Sequence, residues 1–69
     1  MDIKSKVGKR IREVREKAKM SQKDLAYSSD LDRSYIASVE GGKRNISILN
    51  LEKIANSLGV TLSELFKEI

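Results

Sequence analysis

The segment from residue 21 to residue 42 constrains the fold more strongly than any other part of the chain. It contains two short helical patterns separated by only three or four residues. Ser21 and Asp32 are good N-caps for the two helices, and Gly41-Gly42 is a good stop for the second. Helices this short are not stable without tertiary packing. Two of them joined by a tight turn form a helix-turn-helix.

The second helix of this motif has two different faces. Ile36 and Val39 are three residues apart and share one face, which we expect to be buried. The opposite face is small and polar, and consists of Ser34, Ala37 and Ser38 with Arg33 and Tyr35 at its edges. A helix that enters the DNA major groove needs such a face. The helix alone is equally consistent with an ordinary solvent-facing element, and the preceding helix and turn favour DNA.

Three further helices are predicted around this motif. Helix 1 covers about residues 4–19, with an apolar stripe at spacings of three and four formed by Ile3, Val7, Ile11, Val14 and Ala18. Ser47 caps helix 4, whose stripe is Leu51, Ile54, Ala55 and Leu58, and Gly59 follows it. Thr61 and Glu64 form a capping box at the start of helix 5, whose apolar residues Leu62, Leu65, Phe66 and Ile69 run to the chain end. The sequence predicts one all-α, compact five-helix domain over residues 1–69.

Composition limits the classes of function. The 69 residues contain no Cys and no His, which argues against a thiolate zinc site and against the commonest general base. With no nucleophile motif either, we expect neither an enzyme nor a cofactor or metal. No apolar run resembles a signal peptide or a membrane span, so we expect a soluble, cytoplasmic protein without a membrane partner.

Positive charge is concentrated at two places. The net charge is +4, with +5 in residues 1–27, −2 in residues 28–42 and +1 in residues 43–69, where Lys43-Arg44 follows the glycine pair. A basic domain suggests a polyanionic partner, although many basic helices are only solvated surfaces. RNA is not supported, because three aromatic residues provide no stacking platform.

Taken together, the motifs resemble a known family, the repressor-like DNA-binding domains of the Cro and lambdoid-repressor class, also called XRE. The matching residues are Ile11-Arg12, Arg15, Ser21-Gln22, Leu25-Ala26, Tyr35-Ile36, Val39-Glu40, Gly42 and Leu58-Gly59-Val60. Within the family, residues 31–36 and 42–47 most resemble restriction-modification controller proteins, small dimers that regulate their own operon. A phage-type repressor and an antitoxin that binds a partner protein are the alternatives.

The resemblance implies double-stranded DNA, a second copy of the chain and RNA polymerase as partners, with a palindromic operator as the site. Arg33 is the best candidate for reading a base, because Arg paired with guanine is the commonest specific contact. The expected base contacts are Arg33, Ser34, Tyr35 and Ser38, and the expected phosphate contacts are Gln22, Lys43, Arg44, Asn45 and Ser47. For Lys43 and Arg44 a solvated loop is the alternative. Tyr27 could also contact the DNA backbone, but we expect it to pack partly on the core.

Three structural expectations remain. Glu40 falls on the inner side of its helix, where a carboxylate should have a partner. Arg10 and Arg15 both flank the apolar stripe of helix 1, and the family motif places the partner at Arg15. The alternative is that Glu40 reaches solvent at the helix end and pairs with nothing. Asp30 occupies a turn position where many relatives have Gly, so we expect a positive φ there; with Ser29 at a commonly apolar position, we expect a less packed turn. Helix 5 is more apolar than one small core requires. The predicted dimer interface is therefore Leu65, Phe66 and Ile69, which we expect to divide between the core and the partner.

Overall fold

The computed structural model describes residues 2–67 and 69, and forms them into five helices. They are α1 (Ile3–Lys17), α2 (Gln22–Ser29), α3 (Arg33–Glu40), α4 (Ile48–Leu58) and α5 (Leu62–Leu65). No strand occurs in this part of the chain. Helix α3 packs against α1 and α2, α2 also packs against α4, and α5 closes the bundle against α1 and α4. The predicted all-α fold is confirmed, and α2 and α3 form its helix-turn-helix.

A polar N-cap residue precedes each of the five helices that the structure describes. The N-caps predicted from the sequence, Ser21, Asp32, Ser47 and Thr61, each accept a hydrogen bond from a backbone N–H of the following turn, as does Asp2 before α1. At α2 the box is reciprocal: the Ser21 backbone N–H donates to the Asp24 carboxylate at 2.9 Å, which lowers the pKa of that carboxyl. The Thr61 backbone N–H lowers the pKa of Glu64 in the same way. The start of each helix is therefore set by residues within three positions of its N-cap.

The turn between α2 and α3 depends on a left-handed residue. Asp30 has φ 57° and ψ 42°, which confirms the positive φ predicted for it. Gly59 after α4 is also left-handed, at φ 72°, the conformation typical of a glycine that ends a helix. Lys19, at φ 58°, has the same conformation between α1 and α2, and no sequence pattern indicated it. Both short connections around α2 thus bend at a non-glycine left-handed residue.

The core joins residues from all five helices. It consists of Ile11, Val14, Leu25, Ala26, Ile36, Val39, Ile54, Ala55, Leu58 and Leu65. Gly8 brings α1 very close to α3, because a Cβ atom there would collide with the carbonyl oxygen of Val39. The glycine therefore fixes the distance at which α1 supports the C-terminal end of α3.

Both ends of helix 1 differ from the prediction. Helix α1 ends at Lys17, and Ala18 is its exposed C-cap rather than a member of the buried stripe. At the other end, Ile3 is 63% exposed. Only the middle of the stripe faces the core, because α1 is longer than the elements that it covers.

The end of α2 corrects two further predictions. The helix continues through Ser29, which is buried and donates its hydroxyl hydrogen to the Leu25 carbonyl at 2.6 Å. Ser29 is therefore packed at the end of α2, contrary to the loose packing expected of a serine at this position. Tyr27 is 90% exposed, so its expected core packing was also wrong. With Leu25, Ala26 and Ser29 facing inward, the helical period directs Tyr27 outward.

Helix 5 is shorter than predicted and is followed by a turn at Phe66 and Lys67. Within the described residues, no helix has the length and apolar character that crossing a membrane requires.

Candidate nucleic-acid interface

Helix α3 has a fixed inner face and an open outer face. Ile36 and Val39 are 0% and 1% exposed, held against α1 and α2. On the outer side Arg33 and Ser34 are exposed, and Ser38 is half-buried one turn after Ser34. The structure therefore places these three predicted base-contacting residues along one accessible helix surface.

A buried ion pair holds the C-terminal end of α3. Arg15 donates from Nε to Oε2 of Glu40 at 2.7 Å and from Nη2 to Oε1 at 3.0 Å, in the two-point geometry that favours Arg. The two side chains are only 9% and 3% exposed, and the hydrogen bonds to Glu40 raise the pKa of Arg15. Nη1 of Arg15 also donates to the Met20 carbonyl at 2.8 Å. The pair predicted for Glu40 is present, and it links α1 to α3.

Gln22 belongs to the same network. Its amide nitrogen donates to Oε1 of Glu40 at 3.1 Å, which ties the start of α2 to the end of α3. One amide hydrogen is thereby committed to the protein interior. The other is left for the phosphate contact that the sequence suggested.

Arg10, the other arginine beside the α1 stripe, has a different role. Its guanidinium donates to the carbonyls of Leu65 at 2.8 Å and Glu64 at 2.9 Å. It therefore stabilises the C-terminal end of α5, where backbone carbonyls have no partner within the helix.

Tyr35 is half-buried at the edge of the outer face. The guanidinium carbon of Arg44 lies 4.7 Å from the centre of its ring, within cation–π range. Its hydroxyl oxygen accepts a hydrogen bond from Nδ2 of Asn50 at 3.1 Å. Sequence reasoning missed Asn50, and the one available indication was that a half-buried tyrosine hydroxyl needs a partner.

The loop between α3 and α4 presents the remaining predicted phosphate contacts. Lys43, Arg44 and Asn45 are exposed. Ser47 is exposed as well, and its hydroxyl oxygen caps α4 by accepting from the Asn50 backbone N–H at 3.1 Å. That leaves the Ser47 hydroxyl hydrogen free to donate. The loop carries two positive charges directly beside α3.

The predicted dimer surface needs correction. Leu65 is 0% exposed, because α5 turns it into the core, so it cannot contact a second copy. Phe66 is half-buried and Ile69 is 42% exposed. Sequence reasoning missed two more exposed apolar residues, Ile48 at 78% and Leu49 at 63%, at the start of α4. They lie outside the apolar stripe of α4, so the helical period does not assign them to the core.

Known proteins similar to this chain have the same helix-turn-helix architecture. The family model for helix-turn-helix proteins matches residues 11–65. The chain belongs to the helix-turn-helix family. The control protein C.MunI of a Mycoplasma species is 52% identical over 69 residues, which is 99% of this chain and 93% of that protein. Family membership places the chain among DNA-binding regulators rather than enzymes.

Two solved controller structures are similar to this helix-turn-helix chain. C.AhdI from Aeromonas hydrophila is 46% identical with a TM-score of 0.89, covering 91% of this chain and 96% of that one. The C.Esp1396I tetramer, in complex with its natural 35-base-pair operator, is 40% identical with a TM-score of 0.90, covering 97% and 88%. The resemblance to controller proteins found in the sequence is confirmed.

Proposed function

We propose that this protein is a sequence-specific transcriptional regulator of the restriction-modification controller type, and that it binds a palindromic operator as a homodimer. The observation that carries the proposal is the contrast across α3. The Arg15–Glu40 pair fixes the C-terminal end of α3 on its inner side, while Arg33 and Ser34 are exposed on its outer side. A rigid helix with an accessible polar face is what direct reading of base edges requires.

In this proposal α3 enters the major groove. Arg33 binds a guanine edge through two hydrogen bonds, and the short side chains of Ser34 and Ser38 let the backbone approach the bases. Tyr35 contributes from the edge of the face. The proposed phosphate contacts are Gln22, Lys43, Arg44, Asn45 and Ser47. They fix the position of α3 and add affinity without sequence information.

Size supports the homodimer. The protein measures 28 × 23 × 21 Å, which is shorter than the roughly 34–36 Å of one duplex turn. One recognition helix therefore covers too few base pairs for a unique site. The operator complex of C.Esp1396I contains a tetramer, which supports assembly of several copies on DNA. Phe66 and Ile69 remain the proposed dimer contacts once Leu65 is excluded.

The interface is testable by sedimentation at micromolar concentration. Ile69→Asp should shift the dimer toward monomer, because it places a charge in an apolar contact. Ile48→Asp is the matched control, since it makes the same change at a more exposed apolar residue. Dissociation by Ile48→Asp alone would move the interface to the start of α4, and a monomeric parent protein, with and without DNA, would contradict the dimer.

The proposed compartment and the proposed protein partner both follow from the proposed role in transcription. A regulator of transcription works in the compartment that holds the DNA, so we place it in the cytoplasm. We also propose RNA polymerase as a partner at the promoter.

Selection of bound sites from random duplex DNA tests the proposed function directly. We expect a two-fold symmetric sequence to be enriched, with half-sites centred about one helical turn apart, 10–10.5 base pairs, or a multiple of it. The retained DNA should bind more tightly than the starting pool at the same salt concentration, because phosphate contacts alone do not discriminate. Retention of DNA without any enriched sequence would contradict the proposal.

A further inference from the structure

Tyr35 is held by three separate parts of the molecule. Its ring packs against the core cluster, Arg44 of the loop covers one side of the ring, and Asn50 of α4 holds the hydroxyl. Ser34, one residue earlier on the same helix, is exposed and has freedom that Tyr35 lacks. The orientation of the phenol is therefore set before DNA arrives.

The contact with Asn50 also fixes which hydrogen-bonding group Tyr35 presents outward. A tyrosine hydroxyl has one hydrogen to donate and lone pairs that accept, and the amide nitrogen of Asn50 can only donate. The Asn50 contact at 3.1 Å occupies a lone pair. The hydroxyl hydrogen of Tyr35 is left to point away from α4.

We propose that Asn50 is a positioning residue that acts through Tyr35 to set base preference in the operator. The inference rests on the proposed function and deepens it. With its hydrogen directed outward, Tyr35 selects an acceptor on the major-groove edge at the position where bases carry either an oxygen or an amino group, namely O6 of guanine or O4 of thymine. It rejects the amino groups of adenine and cytosine at the same place, because two donors would face each other.

Substitution of the Asn50 side chain can be separated from damage to the fold. The N-cap of α4 uses the backbone N–H of Asn50, and no side-chain atom of Asn50 takes part in it. Asn50→Ala therefore leaves the cap intact while it removes the contact with Tyr35. Asn50→Asp replaces the donor by an acceptor of the same shape. The carboxylate then takes the Tyr35 hydrogen and turns a lone pair outward.

The test measures binding to the selected operator and to every single-base variant of one half-site. Tyr35→Phe and Asn50→Ala should each relax preference at the same base pair, by about three- to tenfold, as expected for one hydrogen bond. The double variant should relax it no further, because both changes remove one contact. Asn50→Asp should shift the preference toward a base whose edge offers an amino donor. Asn56→Asp, the same change at an exposed position of α4, is the charge-matched control and should leave the preference unchanged.

Several results would overturn the inference. In one, Asn50→Ala keeps the parent preference although Tyr35→Phe changes it. In another, the double variant loses base preference by the product of the two factors measured for Tyr35→Phe and Asn50→Ala. If Tyr35→Phe weakens binding equally on all sequences, Tyr35 is a phosphate contact and the inference is wrong. Identical base preferences of Asn50→Asp and Asn56→Asp would also contradict the inference. Failure of the proposed function looks different, because the parent protein then prefers no sequence at all, and the inference fails with it.

Discussion

The two sides of α3 lie in different environments, the inner side buried against the rest of the protein and the outer side exposed to solvent. On the inner side, Glu40 has both carboxylate oxygens bonded, by Arg15 and Gln22, and every buried side-chain nitrogen and oxygen in the described residues has a partner. On the outer side, Arg33 and Ser34 are exposed, so their hydrogen bonds to water can be replaced by hydrogen bonds to DNA. The inner side therefore determines stability and the outer side determines binding, and substitutions on the two sides should be distinguishable by which quantity they change.

The largest effect is expected on the inner side. Arg15→Met should lower the free energy of unfolding by about 3–5 kcal/mol, because it leaves the Glu40 carboxylate buried without its charge partner. Denaturant unfolding measures this loss. Arg12→Met is the matched control: the Arg12–Glu16 pair is 3.4 Å long with side chains 63% and 58% exposed, and its loss should cost about 1 kcal/mol or less.

A double-mutant cycle with Glu40→Gln sharpens this result. The two buried residues should show clear coupling, because each substitution alone leaves the other group in an unfavourable environment. Strict additivity of the two free-energy changes would contradict the assignment of stability to the inner side.

On the outer side the first test is Arg33→Ala. It should weaken binding to the selected operator by about 1–3 kcal/mol and relax preference at one base pair per half-site, while the unfolding free energy stays unchanged. Titration of operator and random DNA at one salt concentration measures both effects. Arg12→Ala removes an exposed arginine from α1 and serves as the control for charge. An equal loss on operator and random DNA would reduce Arg33 to a phosphate contact.

The loop beside α3 allows a finer test, because its two basic residues differ in their surroundings. Lys43→Ala should weaken binding to all sequences alike and reduce the slope of log K against log salt by about 0.9 for each phosphate that is no longer neutralised. Arg44→Ala should reduce the slope similarly and also change base preference, since the guanidinium covers the Tyr35 ring. Arg44→Lys keeps the charge and should restore the slope without restoring the preference. Indistinguishable behaviour of Lys43→Ala and Arg44→Ala would show that the stacking has no role in binding.

Sequence reasoning succeeded where the determining contacts are local. The caps of α2 to α5 and the left-handed Asp30 depend on residues within a few positions, so they could be predicted. The Arg15–Glu40 pair is not local, and it was found because an inward carboxylate demands a cation and the family motif named the partner. The contact of Asn50 with Tyr35 also joins two helices, but the half-burial that makes the Tyr35 hydroxyl need a partner depends on how the helices assemble, so it could not be predicted. Which of Leu65, Phe66 and Ile69 faces the core could not be predicted either, because it depends on how α5 turns against the bundle.

The smallest effect is expected at the turn between α2 and α3. Asp30→Gly should be neutral or stabilising by up to about 1 kcal/mol, because Gly has no Cβ penalty at positive φ but gains freedom in the unfolded chain. Lys19→Gly should behave in the same way, since Lys19 has φ 58° against 57° for Asp30. Ala37→Gly, at an exposed position inside α3, is the contrasting control and should destabilise by about 0.5–1 kcal/mol. Denaturant melts of the three variants measure these differences. A loss above about 1 kcal/mol in Asp30→Gly would mean that the aspartate side chain itself stabilises the turn, as a local cap would.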